Sequence, residues 1–397
     1  MKTRLCIVGF LFICLSISAA RAEWKDRIKE LAMEGTVYAV SRESGVLFEH
    51  QADKPLIPAS VIKLITASAA FEKLGLEYRF RTDFFVDQMG NLYIKGYGDP
   101  MLISEEWKAI ARSLERYGLK SVRYIFVDNS FFSPKIEIPG GNDDPDPYNA
   151  PVSALAANFN TIRVHVRPDG TVTSKERQTP MTDFAREAAL RLKIRGTARV
   201  NLGQNGIPYE LYPGHLLRAF LERIGIPVEG KIRHGDVPSG STLLYRHPCR
   251  DSLEEVVRKM LKYSSNFMAN QIFLTLGAKA FGQPATMEKG QRAVSEFLAE
   301  SLDVKNAKVM EGSGLSRMNR VTARQMDRVL KYFWPHRRLL PKRNGMRVKT
   351  GTLSDVKASA GYFTSHNNGP VRLVVIINNC PRHSTKHRII NLLKKGL

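Results

Sequence analysis

A serine and a lysine near the start of the chain are spaced for nucleophilic catalysis. They occur in Ser60-Val61-Ile62-Lys63, an SxxK motif. On a helix this spacing places both side chains on one face, where an amine can reach a hydroxyl. A serine becomes a strong nucleophile when an adjacent base takes its proton. The pair therefore predicts a base-activated serine, although the motif is short and a second match occurs at Ser354–Lys357.

Two further motifs carry groups suited to substrate binding. Ser264 and Asn266 form an SxN motif in a predicted turn between two helices. Lys349-Thr350-Gly351 ends a strand-like run and offers a cation, a hydroxyl and a backbone that a ligand can approach closely. Each motif alone is more often a turn or a helix cap. Their order, SxxK then SxN then KTG, favours a shared active site.

The elements around these motifs predict a discontinuous architecture. Apolar spacing after Ser60, ended by Gly75, predicts a buried helix that begins at the serine. Short alternating runs between residues 79 and 240 predict a strand-rich unit, after which helical periodicity returns. We therefore expect a first domain made of residues 23–78 and 241–397, interrupted by a strand-rich insertion at 79–240.

The two ends of the chain have distinct patterns. Basic residues, an apolar run from Leu5 to Ala20 and the small-residue pattern ending at Ala22 predict a signal peptide at residues 1–22. An uncleaved anchor is the alternative, but the run is shorter than the ~20 residues that span a bilayer. The basic amphipathic segment 386–397 is predicted to be a helix packed on a sheet, with a membrane-surface helix as the alternative. We expect no transmembrane segment in the mature chain.

Composition limits the remaining possibilities. With 397 residues, 43% hydrophobic and 25% charged, the chain is long enough for a packed core and is not of the disordered or collagen-like class. The net charge of +22 favours anionic partners, and in an exported protein these are wall polymers or lipids and not nucleic acid. A dispersed, solvated positive surface is equally open. Cys249 and Cys380 permit one disulfide after export. Neither zinc spacing nor a phosphate loop occurs, so we expect no metal and no cofactor.

The ordered motifs resemble those of the penicillin-recognising serine hydrolases. Within that group the chain is similar to the D-alanyl-D-alanine carboxypeptidases/endopeptidases of the S13 type, the class C low-molecular-mass penicillin-binding proteins. The resemblance rests on the long gap between SxxK and SxN, on Tyr148–Leu155, and on Glu311–Arg317, which is similar to a DGSGLSR segment. Two positions depart from the family: Ser265 stands in the middle of SDN, and Glu311 replaces an aspartate.

The resemblance implies an α/β (α+β) fold. Its main domain would be serine β-lactamase/transpeptidase-like, an antiparallel sheet flanked by helices, with a strand-rich inserted domain. The implied activity is that of a serine-type D-Ala-D-Ala carboxypeptidase, with endopeptidase activity as a further possibility. Export by the cleaved signal peptide would place it in the periplasm or elsewhere outside the cytoplasm. Its partners would be peptidoglycan stem peptides, with β-lactams as covalent inhibitors.

The resemblance also implies a role for each motif residue. Ser60 would be the nucleophile, Lys63 its base and Ser264 the proton relay to the leaving amine. The backbone N–H groups of Ser60 and Thr352 would hold the oxyanion.

Four residues would bind the substrate. Asn266 would bind the substrate amide, Lys349 and Thr350 the terminal carboxylate, and Gly351 would allow close approach.

Two other functions remain open from the sequence. A serine β-lactamase shares the catalytic set, but the long insertion and the absence of a clear ExxLN element count against it. A non-catalytic wall-binding protein could keep the same fold, but its expected sign is a broken motif set, and all three motifs are intact.

Overall fold

The computed structural model describes residues 23–142, 144–380, 382 and 384–397. The predicted signal peptide lies outside the described residues. The chain divides into two compact units. The first unit contains the described residues up to Leu64, together with Leu302–Lys308 and Arg317–Leu397; the second contains Ile65–Ser301 and Val309–Ser316.

The elements follow in chain order. The strands are β1 (Gly35–Ser41), β2 (Gly45–His50), β3 (Arg81–Val86), β4 (Leu92–Gly96), β5 (Ile125–Asp128), β6 (Thr161–Val166), β7 (Val172–Ser174), β8 (Gly196–Asn201), β9 (Ile232–His234), β10 (Thr242–Pro248), β11 (Lys342–Arg343), β12 (Met346–Thr352), β13 (Lys357–Ser365) and β14 (Gly369–Ile377). The helices are α1 (residues 23–31), α2 (Lys63–Leu74), α3 (Ser104–Arg116), α4 (Asp183–Arg191), α5 (Tyr212–Arg223), α6 (Leu253–Tyr263), α7 (Asn266–Phe281), α8 (Met287–Leu302), α9 (Ala323–Phe333) and α10 (Ser384–Gly396).

The first unit is built on a six-stranded sheet with the strand order β11-β12-β13-β14-β1-β2. Every neighbouring pair is antiparallel. The sequence predicts a hairpin from the two β-prone runs Thr36–Val40 and Val46–His50, which are separated by a polar turn, and β1 and β2 form it. Alternating side chains send apolar groups to both faces. Helix α9 covers one face, where the Tyr362 hydroxyl donates to the Leu330 carbonyl at 2.7 Å and Arg372 forms a two-bond ion pair with Asp327. The predicted fold class, an antiparallel sheet flanked by helices, is confirmed.

Helix α10 packs on the opposite face of this sheet. Ile389 and Leu393 are fully buried there with Val375 of β14 and Ile28 of α1. Leu392 is partly buried against the same core. Apolar burial of this extent stabilises the folded state by several kcal/mol, at about 1.5–3 kcal/mol for each side chain. The prediction that the basic C-terminal segment packs on the sheet is therefore confirmed.

The second unit contains two further sheets. In the five-stranded sheet β10-β3-β4-β5-β9, the first three strands are antiparallel and β4, β5 and β9 run parallel. The three-stranded sheet β7-β6-β8 is antiparallel. Helices α3, α4 and α5 share one hydrophobic core with these strands, and that core includes Trp107 and Tyr212. Helix α7 is buried over most of its length.

The predicted insertion at 79–240 lies inside the second unit, which extends well beyond it. From Ile65 onwards helix α2 belongs to the second unit, where Lys73 lies 3.7 Å from Glu300 of α8. The backbone N–H of Leu253, at the start of α6, donates to the carbonyl of Tyr78. The two units are thus defined by which residues pack together. The insertion boundaries expected after residue 78 and after residue 240 stay a prediction.

Two observations concern the cysteines and the membrane. Cys249 and Cys380 are both buried and both free, so the permitted disulfide is not formed in this structure. No helix in the described part of the chain is long and apolar enough to cross a bilayer.

Candidate active site

Ser60 lies in a tight turn of 3₁₀ helix and not in the α-helix that the sequence predicts. The 3₁₀ helix spans Ala59–Ile62, and α2 begins directly after it at Lys63. Ala59 is in the left-handed region, with φ of 47°, which is costly for a residue with a Cβ. Such local strain persists only where the surrounding structure enforces it. Here it fixes the backbone immediately before the serine.

The structure brings the SxxK serine and lysine together. The Lys63 Nζ donates to the Ser60 hydroxyl oxygen at 3.2 Å, and Lys63 is fully buried. An amine at this distance is within reach of the hydroxyl proton. The second SxxK match differs, because the Lys357 ammonium donates to the carbonyls of Leu353 and Ser354.

Strand β12 brings the KTG motif beside Ser60. A Cβ added at Gly351 would lie 2.9 Å from the Ser60 backbone nitrogen and 2.9 Å from the Pro58 carbonyl oxygen. Real Cβ atoms essentially never approach closer than 3.0 Å, so only glycine fits here without a shift of the backbone. Gly351 therefore permits the close approach of β12 to the serine. Thr352, which follows it, is exposed.

Lys349 is a buried cation on the same strand. Only 2% of its surface is exposed, and its ammonium donates to the Thr350 carbonyl at 2.6 Å. Burial, and to a smaller extent the charges of Arg343 and Lys386, lower the pKa of Lys349 to about 7. Thr350 is half-buried. Because Lys349 is neutral for part of the time near pH 7, an anionic ligand would favour its charged form.

Ser264 and Asn266 belong to the second unit, at the junction of α6 and α7. Ser264 ends α6 in the left-handed conformation, with φ of 55°. Asn266 begins α7, and its side-chain amide donates to the Tyr148 carbonyl at 3.2 Å. Ser265 caps α7, since its hydroxyl accepts from the Met268 N–H at 3.2 Å. Serine and aspartate are both good N-caps, which explains why serine serves in the middle place of the motif.

Glu311 has a structural role that its place in the sequence motif did not reveal. Its buried carboxylate accepts hydrogen bonds from the Ser313 N–H and hydroxyl and from the N–H groups of Gly314 and Ser316, at 2.6–3.3 Å. This one side chain therefore holds the loop that follows it. An acidic residue just before Gly-Ser-Gly was the available signal, since carboxylates often organise turns by accepting backbone N–H groups.

The Glu311 loop packs within the second unit. The Thr66 hydroxyl donates to the Gly312 carbonyl at 2.8 Å, and the Asn270 side chain accepts from the Gly312 N–H at 2.8 Å. The loop is thereby tied to both α2 and α7. The segment Tyr148–Leu155 is also tied to α7, because Gln271 donates to the Ser153 carbonyl at 3.0 Å. Both segments that carry the family resemblance are thus tied to α7.

The described part of the chain offers no set of side chains that could bind a metal ion. Among those residues, no group of three or more His, Cys, Asp or Glu side chains could hold an ion. The polar groups described above suit acyl transfer through a serine ester.

The chain is similar to D-Ala-D-Ala carboxypeptidases over most of its length. The model of the D-Ala-D-Ala carboxypeptidase 3 (S13) family matches residues 21–339, which include Ser60, Lys63, Ser264 and Asn266. The KTG motif follows the matched region. A D-alanyl-D-alanine carboxypeptidase from Actinomadura sp. (strain R39) is 27% identical over 75% of this chain, which spans 64% of that relative's length. The D-alanyl-D-alanine carboxypeptidase DacB of Haemophilus influenzae is 23% identical over 89% of this chain and 87% of its own.

Solved structures share the fold. Penicillin binding protein 4 (dacB) from Haemophilus influenzae superimposes with a TM-score of 0.77 at 21% identity, over 93% of this chain and 99% of that one. A penicillin G acylated predatory endopeptidase from Bdellovibrio bacteriovorus, in complex with an immunity protein, gives a TM-score of 0.52 at 13% identity, over 91% and 90% of the two chains. The match of the family model over most of the sequence confirms the predicted family: the chain belongs to the D-Ala-D-Ala carboxypeptidase 3 (S13) family.

Proposed function

We propose that this protein is a serine-type D-Ala-D-Ala carboxypeptidase that acts on peptidoglycan stem peptides through an acyl-enzyme and is acylated by penicillin. The observation that carries the proposal is the hydrogen bond from Lys63 to Ser60 beside the KTG strand, in a chain of the S13 family. The relatives named as carboxypeptidases and the neighbour acylated by penicillin G support the same chemistry. Endopeptidase activity, named for the Bdellovibrio neighbours, uses the same steps.

Acylation begins when Lys63, in its neutral amine form, takes the proton of the Ser60 hydroxyl. The Ser60 oxygen then forms an ester bond with the carbonyl carbon of the penultimate D-Ala, and the oxyanion accepts hydrogen bonds from the N–H groups of Ser60 and Thr352. The C–N bond breaks, and Ser264 passes a proton to the leaving amine. Water then hydrolyses the ester and restores the serine.

Substrate recognition depends on a terminal carboxylate and an amide. Lys349 and Thr350 receive the carboxylate, and Asn266 binds the amide of the acyl side. Since burial lowers the pKa of Lys349 to about 7, the incoming carboxylate provides the negative charge that favours its protonated form. Recognition of the charged terminus and protonation of Lys349 are thereby linked.

The place of action follows from the N-terminal sequence. Residues 1–22 act as a cleaved signal peptide, and the mature enzyme works in the periplasm, where stem peptides are accessible. The reaction needs no metal and no cofactor, because a serine, a lysine and backbone N–H groups supply every group that the steps above use.

The test combines covalent labelling with product release. Purified mature protein is incubated with a fluorescent penicillin, and the labelled peptide is mapped. We expect the label at Ser60, its loss in Ser60→Ala and its retention in Ser354→Ala. Ser60 lies inside the 3₁₀ helix and is not its N-cap, so Ser60→Ala removes no capping hydrogen bond and the variant should stay folded.

Release of D-alanine from a peptide that ends in D-Ala-D-Ala is measured on the same samples. Labelling at Ser354, or no labelling of folded protein, would contradict the assignment. Rapid hydrolysis of a cephalosporin without release of D-alanine would instead indicate a β-lactamase.

A further inference from the structure

A large groove continues from the KTG strand towards the C-terminal helix. It has a volume of about 950 Å³ and is lined by Thr350 and Thr352 of β12, by Lys357 of β13 and by residues of α10. Its strand end is therefore formed by Thr350, which the proposed function assigns to the terminal carboxylate. A single alanine would fill little of this space, because cavities of this size hold drug-sized ligands.

The walls of this basic groove carry positive charge on both sides. Arg343 lies on the strand side, and Lys386 and Lys394 lie on α10. None of the lining residues within the described ranges is an aspartate or glutamate. Fields from like charges add in a cleft, so the groove attracts anions.

Two lysines that line the groove are buried, and no carboxylate lies beside them among the described lining residues. Lys357 and Lys386 are 1% and 5% exposed. The Lys386 ammonium donates to the Ala358 carbonyl at 3.2 Å. The Lys357 ammonium donates to the carbonyls of Leu353 and Ser354. Burial, then the charges of Lys357 and Arg343, lower the pKa of Lys386 to about 8. A buried charge raises the free energy of the folded state unless it is paired. An anion bound in the groove would therefore be stabilised by the ammonium groups of Lys357 and Lys386.

We propose that the basic groove receives the leaving-group side of the substrate and selects leaving groups that are acidic peptides, with carboxylates beyond the one received at Thr350. The inference rests on the proposed function, because it concerns the amine expelled from the acyl-enzyme. When the C–N bond breaks, the leaving peptide takes a proton on its nitrogen and departs along the groove. The groove then favours acidic leaving peptides over free D-alanine, which carries no carboxylate beyond the one received at Thr350.

The test compares two substrates that share one acyl side. One expels D-alanine, and the other expels an acidic peptide through its D-amine. Arg343→Glu reverses an exposed charge at the groove, whereas Lys395→Glu makes the same change on α10 outside the groove. The quantity compared is kcat/KM for the substrate that expels the acidic peptide, divided by kcat/KM for the substrate that expels D-alanine. We expect Arg343→Glu to lower this ratio by about fivefold. Lys395→Glu should leave the ratio unchanged, and added salt should reduce the preference of the unmodified enzyme.

The outcomes separate this inference from the proposed function. Absence of both penicillin acylation and D-alanine release would defeat the proposed function itself. Normal release of D-alanine with an unchanged ratio in Arg343→Glu would overturn the groove assignment alone. An equal fall of the ratio in Lys395→Glu would indicate a general effect of net charge and would also overturn it. An unchanged ratio with weaker binding of Arg343→Glu to vesicles of anionic lipid would assign the groove to a lipid headgroup.

Discussion

Replacement of Gly351 by alanine tests how closely catalysis depends on the approach of β12 to Ser60. The added Cβ would lie 2.9 Å from the Ser60 nitrogen, 2.9 Å from the Pro58 carbonyl oxygen and 3.0 Å from the Ala59 Cβ. Ordinary contacts of a Cβ atom lie at 3.4–4 Å. The strand must therefore move by roughly half an ångström, because no flexible side chain can give way.

The expected loss of acylation rate depends on how far the movement of β12 displaces the N–H groups that hold the oxyanion. In the proposed mechanism the N–H groups of Ser60 and Thr352 hold the oxyanion, and loss of one such donor costs about 10²–10³ in rate. A shift of roughly half an ångström weakens one donor without removing it, so we expect acylation by penicillin to slow by about tenfold to a hundredfold. Overpacking of this kind costs about 1–3 kcal/mol of stability.

A matched control separates the catalytic loss from the stability loss. Gly35→Ala lies on β1 of the same sheet, and its Cβ would meet the Ile376 carbonyl oxygen at 2.8 Å. It should lower the melting temperature by a similar amount and leave the acylation rate near that of the unmodified enzyme. Rates are measured by stopped-flow with a fluorescent penicillin, and stability by thermal unfolding. The reasoning would be refuted if Gly351→Ala were acylated as fast as the unmodified enzyme. It would also be refuted if Gly35→Ala were acylated as slowly as Gly351→Ala.

Three further predictions concern the lysines and the C-terminal helix. Lys63→Ala should slow acylation by every ligand by about 10²–10⁴, whereas Lys349→Ala should weaken binding of carboxylate ligands by about tenfold to a hundredfold and of their esters much less; equal losses for acids and esters would contradict the role of Lys349. Because the pKa of Lys349 is lowered to about 7, its ammonium is lost as the pH rises through 7. Inhibition constants should therefore show carboxylate affinity falling above pH 7, by up to about tenfold per pH unit, with no such fall for the ester. Deletion of residues 386–397 should lower the melting temperature and penicillin binding together, and Leu393→Ala, which removes a fully buried side chain, should cost about 2–5 kcal/mol by denaturant unfolding; unchanged stability with weaker binding to anionic vesicles would favour the membrane-surface alternative.

Local patterns were sufficient for the features that depend on neighbouring residues. The hairpin of β1 and β2 follows from two β-prone runs and a polar turn. Helix α10 follows from the periodic spacing of Ile389, Ile390 and Leu393, since a helix with one apolar face must bury that face. The pair Ser60 and Lys63 also depends only on a short spacing, and its hydrogen bond has the predicted partners.

Features that depend on distant parts of the chain were not predictable in the same way. The left-handed backbone at Ala59 is enforced by surroundings that the local pattern does not specify, so the turn at Ser60 was expected to be an α-helix. The role of Glu311 appears only when the N–H groups of its loop turn towards one buried carboxylate. The cations of the basic groove come from β11, β13 and α10, and their proximity is a consequence of the folded sheet.

The environment of Lys349 modifies the mechanism that the motifs alone suggested. The family resemblance implies that Lys349 binds the substrate carboxylate, a role that needs a positive charge on its amine. With its own pKa at about 7, the buried Lys349 is charged only part of the time near neutral pH when no ligand is bound. A substrate carboxylate that binds there favours the ammonium. In the proposed mechanism, binding of the correct terminus therefore selects the charged form of Lys349, whereas a peptide whose terminus is an ester or an amide gains no such contact.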